Sequence, residues 1–307
     1  MNVRDIGLNG KETAAEGAVR PGCLYLCATP IGNLGDMTPR AVEVLKAVDV
    51  IAAEDTRNSI KLLNHFDIHT PMTSYHEYNK YDKAEELLRQ LQAGKSVAVI
   101  TDAGTPCISD PGEVLVEKCA AAGIEITSLP GASAVITALT LSALPTRRFV
   151  FEGFLPAVKQ KKERAEALER LRNETRSIVL YEAPHHLRQT LLELGTVLGG
   201  ERRISLCREL TKRYEEVIRT TLREAAELSP KGEYVLVIAG RDAAELQEAR
   251  QQSFAALSLD EHMQRYLAAG LDRKAAMKAV AQDRGLSKRE IYQALEAEKK
   301  TEDSAQA

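Results

Sequence analysis

Four short apolar runs, at residues 23–28, 48–53, 96–100 and 124–129, recur through the first half of the chain, and stretches with helical spacing separate them. All four read as strands, and the run at 96–100, without polar alternation, reads as one buried on both faces. Strands that alternate with helices can join one sheet only through right-handed crossovers, which brings every strand's carboxyl end to the same edge. At that edge the sequence is unusual: Thr29-Pro30-Ile31-Gly32-Asn33, Glu54-Asp55-Thr56-Arg57, the loop 101–112 and Pro130-Gly131-Ala132-Ser133 follow the four runs in turn. A sheet needs only compact turns there, and it is where open α/β sheets bind ligands.

The loop 101–112 holds two glycines and two prolines, a rigid backbone that lets N–H and C=O groups approach a small molecule closely. Asp110 is expected to cap the helix that follows, with Pro111 at its first position, and Thr38-Pro39 reads the same way. After Pro145 strands outnumber helices, which predicts a mixed α+β unit. From Asp242 the chain reads as helical, and Gly285-Leu286-Ser287 separates the last two helices like a helix-turn-helix. The expected organisation is a flexible leader at 1–20, a parallel α/β cofactor domain at 21–145, an α+β substrate domain at 146–241, a helical segment at 242–297 and a disordered tail at 298–307.

Net charge is −3, so contact with nucleic acid has to come from local patches. Arg57, Arg208, Lys212 and Arg213 on or near loops are the better candidates for phosphate contacts; the charged helix at 158–173, within a stretch at 158–176 of net charge +3, reads as a solvated face at least as well as an RNA contact. Five cysteines without a CxxC pair or a zinc spacing predict no disulfide framework and no metal, hence a reducing cytoplasm. A signal-like start and a long apolar span are both missing, so no membrane association is expected. No G-x-G-x-x-G occurs, Arg89 stands where a P-loop needs its first glycine, and Lys80 stands where H-E-x-x-H needs its second histidine. What is left suits a ligand held by backbone and apolar groups.

Five motifs in register, Thr29-Pro30-Ile31-Gly32-Asn33, Glu54-Asp55-Thr56-Arg57, Asp102-Ala103-Gly104-Thr105-Pro106, Ser128-Leu129-Pro130-Gly131-Ala132-Ser133 and Tyr181-Glu182-Ala183-Pro184-His185, resemble the bacterial small-subunit ribosomal RNA ribose 2′-O-methyltransferases of the tetrapyrrole (corrin/porphyrin) methylase superfamily. The resemblance implies a two-domain α/β fold, usually homodimeric, with S-adenosylmethionine as cofactor and a cytidine 2′-hydroxyl in the decoding centre of 16S rRNA as acceptor. It assigns the cofactor to Pro30, Asp102, Gly104, Thr105, Pro106, Ile108, Ser109, Asp110, Ser128, Pro130, Gly131, Ala132, Ser133 and Tyr181. A ribose hydroxyl is a weak nucleophile near neutral pH, so a base is expected nearby. Asp55 is the first expectation, and Glu54, His76, Glu182 and His185 are further ones. The basic C-terminal helices are expected to contact rRNA or a ribosomal protein. Two other readings are open: a tetrapyrrole C-methyltransferase on the same scaffold, and a ribosome-assembly factor without catalysis. Gly-Thr-Pro at 104–106, where the superfamily more often has Gly-Asp-Pro, favours RNA over tetrapyrrole.

Overall fold

A computed structural model describes residues 19–229 and 231–295. Strands β1 (Leu24–Cys27), β2 (Val50–Ala53), β3 (Met72–Ser74), β4 (Val97–Ile100) and β5 (Ile126–Leu129) form a parallel sheet in the order β3-β2-β4-β1-β5. Helices α1 (Pro39–Ala47), α2 (Thr56–His65), α3 (Lys80–Gln92), α4 (Gly112–Ala121) and α5 (Ala134–Leu141) alternate with them. Successive strand residues point to opposite layers: Tyr25, Ile51 and Ala98 pack with Leu45 and Leu63, whereas Leu24, Val97 and Val99 pack with Leu87, Leu91 and Leu115. Both faces of the central strands are covered, which is why Val97–Ile100 is apolar throughout, whereas the edge strand β5 keeps Thr127 and the exposed Ser128.

The strands are shorter than the runs. Val48, for example, C-caps α1 instead of opening β2. β3 was not expected, because three half-buried edge residues carry no apolar run; its pairing of Met72 with Ile51 defines it. Thr38 caps α1 as expected, accepting from Ala41 N–H at 3.2 Å. α4 starts one residue later than Asp110-Pro111 suggested. Asp110 accepts from Gly112 N–H and from Cys107 N–H, each at 2.7 Å, so its carboxylate closes the loop as well as the helix end.

The second half folds into β6 (Phe149–Phe154), β7 (Ser177–Glu182), β8 (Arg203–Arg208), β9 (Glu216–Thr221) and β10 (Tyr234–Ile238), in the order β6-β7-β10-β8-β9. β6 and β7 are parallel and the other pairs antiparallel, a largely antiparallel sheet of the kind expected in an α+β unit. One face packs on α6 (Lys161–Leu171), α7 (Pro184–Leu198) and the short α8 (Leu222–Ala225). On the other face, Val135, Ala138 and Leu139 of α5 pack against Val179, Cys207, Val235 and Val237. α5 thus belongs to the first half in sequence and to the second half's core in space.

Helices α9 (Ala243–Ala255), α10 (Leu259–Ala268) and α11 (Arg273–Arg284) follow, and residues 288–295 are helical. Gly285 ends α11 at φ 66°, and Ser287 and Glu290 cap the last helix reciprocally, Ser287 N–H to Glu290 at 2.7 Å and Glu290 N–H to Ser287 Oγ at 3.2 Å. Leu259, Met263, Val280, Ile291 and Leu295 give these helices a core of their own. Of the expected leader only Val19 and Arg20 are described; Arg20 N–H donates to the Tyr25 hydroxyl at 2.7 Å. The expected tail at 298–307 lies outside the described residues. Among the described residues no helix is long and apolar enough to cross a membrane, and no group of three or more His, Cys, Asp or Glu could hold a metal ion.

Candidate active site

The carboxyl edge of the parallel sheet faces the second half across a cavity of about 340 Å³. Loops stitched to one another build the first wall. Thr29 and Gly104 exchange backbone hydrogen bonds at 2.9 and 3.0 Å, Thr29 Oγ1 donates to Thr101 O at 3.0 Å, and Thr105 Oγ1 donates to Ala132 O at 3.0 Å. Gly104 has φ +88°, and a Cβ there would come within 3.2 Å of Ile31 Cγ2. This position requires glycine both for its backbone angle and for space.

Strain gathers around the cavity. Ser109 (φ 62°) and Glu209 (φ 48°) line it, and Cys107 (φ 68°) and the β-branched Thr211 (φ 63°) lie within two residues of them. Such angles each cost roughly 1–3 kcal/mol and persist only where their surroundings hold them. Here the two halves hold each other. Asn33 N–H donates to Thr211 Oγ1 at 3.0 Å, and Ser109 Oγ lies so close to Gly153 in the β6 bulge that a Cβ there would meet it at 2.8 Å.

The lining is acidic. Glu54, Asp102, Asp110, Glu182, Glu209 and Glu233 face one ammonium, Lys212, which bonds Glu233 at 2.7 Å and Glu209 at 3.3 Å. Desolvation pushes the pKa of Asp102 up, and Glu54 adds to the shift against a hydrogen bond from Asn58 Nδ2 at 3.2 Å. Burial also raises Asp110, against its two backbone N–H donors. Burial works against the Lys212 charge, but Glu233 and Glu209 outweigh it and raise its pKa. Ile31, Ala134, Phe154, Tyr181, Leu210 and Val235 supply the apolar surface.

Of the residues singled out from sequence, Glu54, Asp102, Gly104, Thr105, Ile108, Ser109, Asp110, Ser133, Tyr181, Glu182 and Lys212 line the cavity. Pro30 and Pro106 are buried in its wall. Ala132 contributes its carbonyl to Thr105, Gly131 packs against Ala28, and Ser128 and Pro130 are exposed off the lining. Asp55 does not line the cavity: it caps α2 through Arg57 N–H at 2.8 Å and grips the Arg57 guanidinium at 2.8 and 3.1 Å. These bonds pull its pKa down to about 2, which leaves a poor proton acceptor. His76 follows β3 on the same edge, and its Nδ1 is buried without a partner. Glu182 is buried and accepts from Ala183 N–H at 2.9 Å and from Thr190 Oγ1. His185 is exposed beside His186. Arg57 is exposed, Arg208 reaches Glu216 at 3.4 Å, and the Arg213 guanidinium sits 5.6 Å over the Tyr214 ring. Sequence reading missed the lining from Phe154, Cys207, Glu209, Leu210 and 233–235; the only signal was that these positions sit at the ends of β6, β8 and β10.

The tetrapyrrole (corrin/porphyrin) methylase family matches residues 23–226, which hold the whole parallel sheet, four of the five strands of the second sheet and all of the cavity lining except Glu233, Tyr234 and Val235. The chain belongs to that family. A Synechocystis sp. protein named "Ribosomal RNA small subunit methyltransferase I" is 50% identical over 276 residues, covering 89% of this chain and 96% of that protein. A Bacillus subtilis protein of the same name is 43% identical over 295 residues, 95% of this chain and 97% of its own length. Among solved structures, the methyltransferase CobJ superposes with a TM-score of 0.56 at 20% identity over 71% of this chain and 94% of its own. That tetrapyrrole methylase likeness confirms the α/β fold expected. As a methylase of this family, the chain uses S-adenosylmethionine, a ligand with a sulfonium and an ammonium charge, and the cavity fits it. Its six carboxylates against one ammonium suit a cation, its apolar surface suits an adenosyl group, and its volume lies in the usual range for small-molecule sites.

Proposed function

We propose that this chain transfers a methyl group from S-adenosylmethionine to the ribose 2′-hydroxyl of a cytidine in the decoding centre of 16S rRNA, acting in the cytoplasm on the small ribosomal subunit as a homodimer. The single observation that carries this reading is the acidic, backbone-built cavity between the two halves, in a chain whose relatives bear a small-subunit rRNA methyltransferase name over 89% and 95% of its length.

Bound in the cavity, the cofactor supplies an electrophilic methyl group on a cationic sulfur. Gly104, Thr105, Ile108, Ser109 and Ser133 hold it by backbone and short side chains, and the carboxylates of Glu54 and Asp110 complement its charge. Catalysis of such a displacement is mostly positioning, which the stitched loops at 29–33, 101–110 and 131–134 provide. Asp102 is the proton acceptor for the ribose hydroxyl: it lines the cavity, and its raised pKa makes it a better acceptor than Asp55.

An acidic cavity repels phosphates as well as the carboxylates of a tetrapyrrole. In this reading only the ribose edge enters, while Arg57, Arg208 and Arg213 meet phosphates outside the cavity, to which none of them contributes lining. The C-terminal helices extend the grip. Arg273, Lys274, Lys278, Lys288 and Arg289 are exposed, and no ion pair engages them among the described residues.

The test is transfer of labelled methyl to small subunits from a strain lacking this gene, with naked 16S rRNA and uroporphyrinogen III in parallel. Label at one alkali-resistant linkage in the subunit is expected. Label only in the tetrapyrrole would assign the other substrate, and cofactor binding without transfer to any of the three would discard the acceptor. Sedimentation of the full chain checks the dimer.

A further inference from the structure

Beyond β3 the chain continues as Tyr75-His76-Glu77-Tyr78-Asn79-Lys80-Tyr81. Its first residue is anchored. Tyr75 is buried, its N–H donates to Ala53 O at 2.8 Å, and its hydroxyl donates to Pro111 O at 2.8 Å. These bonds tie the segment to the residue before Glu54 and the residue after Asp110, both of which line the cavity. Asn79 pins the turn that follows, accepting from His76 N–H at 2.8 Å and donating to Ser74 O at 3.3 Å.

Side chains on this pinned turn face outward. Tyr78 is 97% exposed and Tyr81 65% exposed, and the Lys80 ammonium lies 5.5 Å from the Tyr81 ring centre. Tyr78 is therefore held at the cavity's flank without covering anything of the fold. Its ring stands 6.1 Å from that of His76, whose Nδ1 is closed off from solvent with no hydrogen-bond partner.

We infer that residues 75–81 form a nucleobase platform, on which Tyr78 stacks an unpaired base of the substrate strand next to the acceptor ribose, a role that rests on the ribosomal RNA substrate proposed above. The electrostatics favour it. A cavity lined by six carboxylates cannot draw RNA in by its phosphates, whereas stacking on a neutral ring brings base and ribose forward without phosphate contact. Tyrosine stacks any base, so this platform supplies grip and leaves sequence choice to other contacts.

The chain contains no tryptophan, so Tyr78→Trp in the full-length protein installs a lone indole as reporter. Titration with a short oligocytidylate should quench its emission saturably. In methyl transfer to small subunits, Tyr78→Ala should raise KM for the subunit about tenfold, the scale of one base stack removed, while kcat and cofactor affinity stay at the wild-type values. Tyr78→Phe, which keeps the ring, should behave as wild type. Oligocytidylate retained on a filter without any change in indole emission would overturn the platform and leave the methyltransferase reading standing, as would an unchanged KM for Tyr78→Ala. A wild-type protein that neither binds nor methylates RNA would instead remove the RNA reading, and the platform with it.

Discussion

Asp55 and Asp102 are carboxylates at neighbouring strand ends with opposite surroundings. Donors crowd Asp55, so its folded pKa of about 2 lies below its ordinary 3.8; the stability it contributes is complete above that ordinary value and is lost as pH falls toward 2. Asp102 has its pKa raised, so its charge opposes folding once pH rises through that value. Asp102→Asn should therefore raise the midpoint of thermal unfolding at neutral pH, with the gain shrinking as pH falls through the raised pKa, while turnover drops about a hundredfold. Asp55→Asn keeps a cap-forming side chain, and its turnover should stay within about threefold of wild type. Kinetics and melting curves of the two variants separate the roles, and equal turnover loss in both would return Asp55 to the chemistry. At Gly104, alanine adds a methyl group against Ile31 on a backbone at φ +88°, so calorimetry should find cofactor binding at least about tenfold weaker.

Among the elements, α6 departs furthest from its sequence reading. Its charges predict a solvated face, yet Arg164 is 5% exposed. Its guanidinium donates to Glu193 Oε2 at 2.6 Å, Thr190 Oγ1 at 2.7 Å and Pro156 O at 2.8 Å, and Thr190 passes a hydrogen bond on to the buried Glu182 at the cavity. Removing one partner of such a network strands the others. Arg164→Met should cost about 3 kcal/mol in urea unfolding, and a loss below ~1 kcal/mol would mean that water replaces the guanidinium. The arginine's direction could not be read from α6, because the two side chains that turn it inward, Thr190 and Glu193, belong to α7.

For the whole molecule, α11 and the last helix present five cations that no ion pair engages among the described residues, because the acids of these two helices bind elsewhere. Asp272 caps α11 through Ala275 N–H at 2.7 Å, Glu290 caps the last helix, and Asp283 is buried against His262. Replacing Lys274, Lys278, Lys288 and Arg289 by glutamine should weaken subunit binding and flatten its salt dependence by roughly 0.7–0.9 for each phosphate that is no longer neutralised, with cofactor affinity unchanged. A salt slope equal to that of wild type would separate these helices from RNA.

Much of this architecture was legible in the sequence because it depends on neighbours in sequence. Apolar runs fixed four of the five parallel strands, Thr38-Pro39 and Gly285 marked helix ends, and five loop motifs in register pointed to the family that residues 23–226 match. β3 escaped because three edge residues pair without an apolar signal, and the second half's share of the cavity escaped because its lining comes from separate strand ends. The roles of single polar groups were decided only in three dimensions. Asp55 is bound to Arg57, Arg164 to the α7 side chains, and His76 has one ring nitrogen buried without a partner, because a titratable group's character is set by whatever packs beside it, and spacing along the chain records only which groups are present.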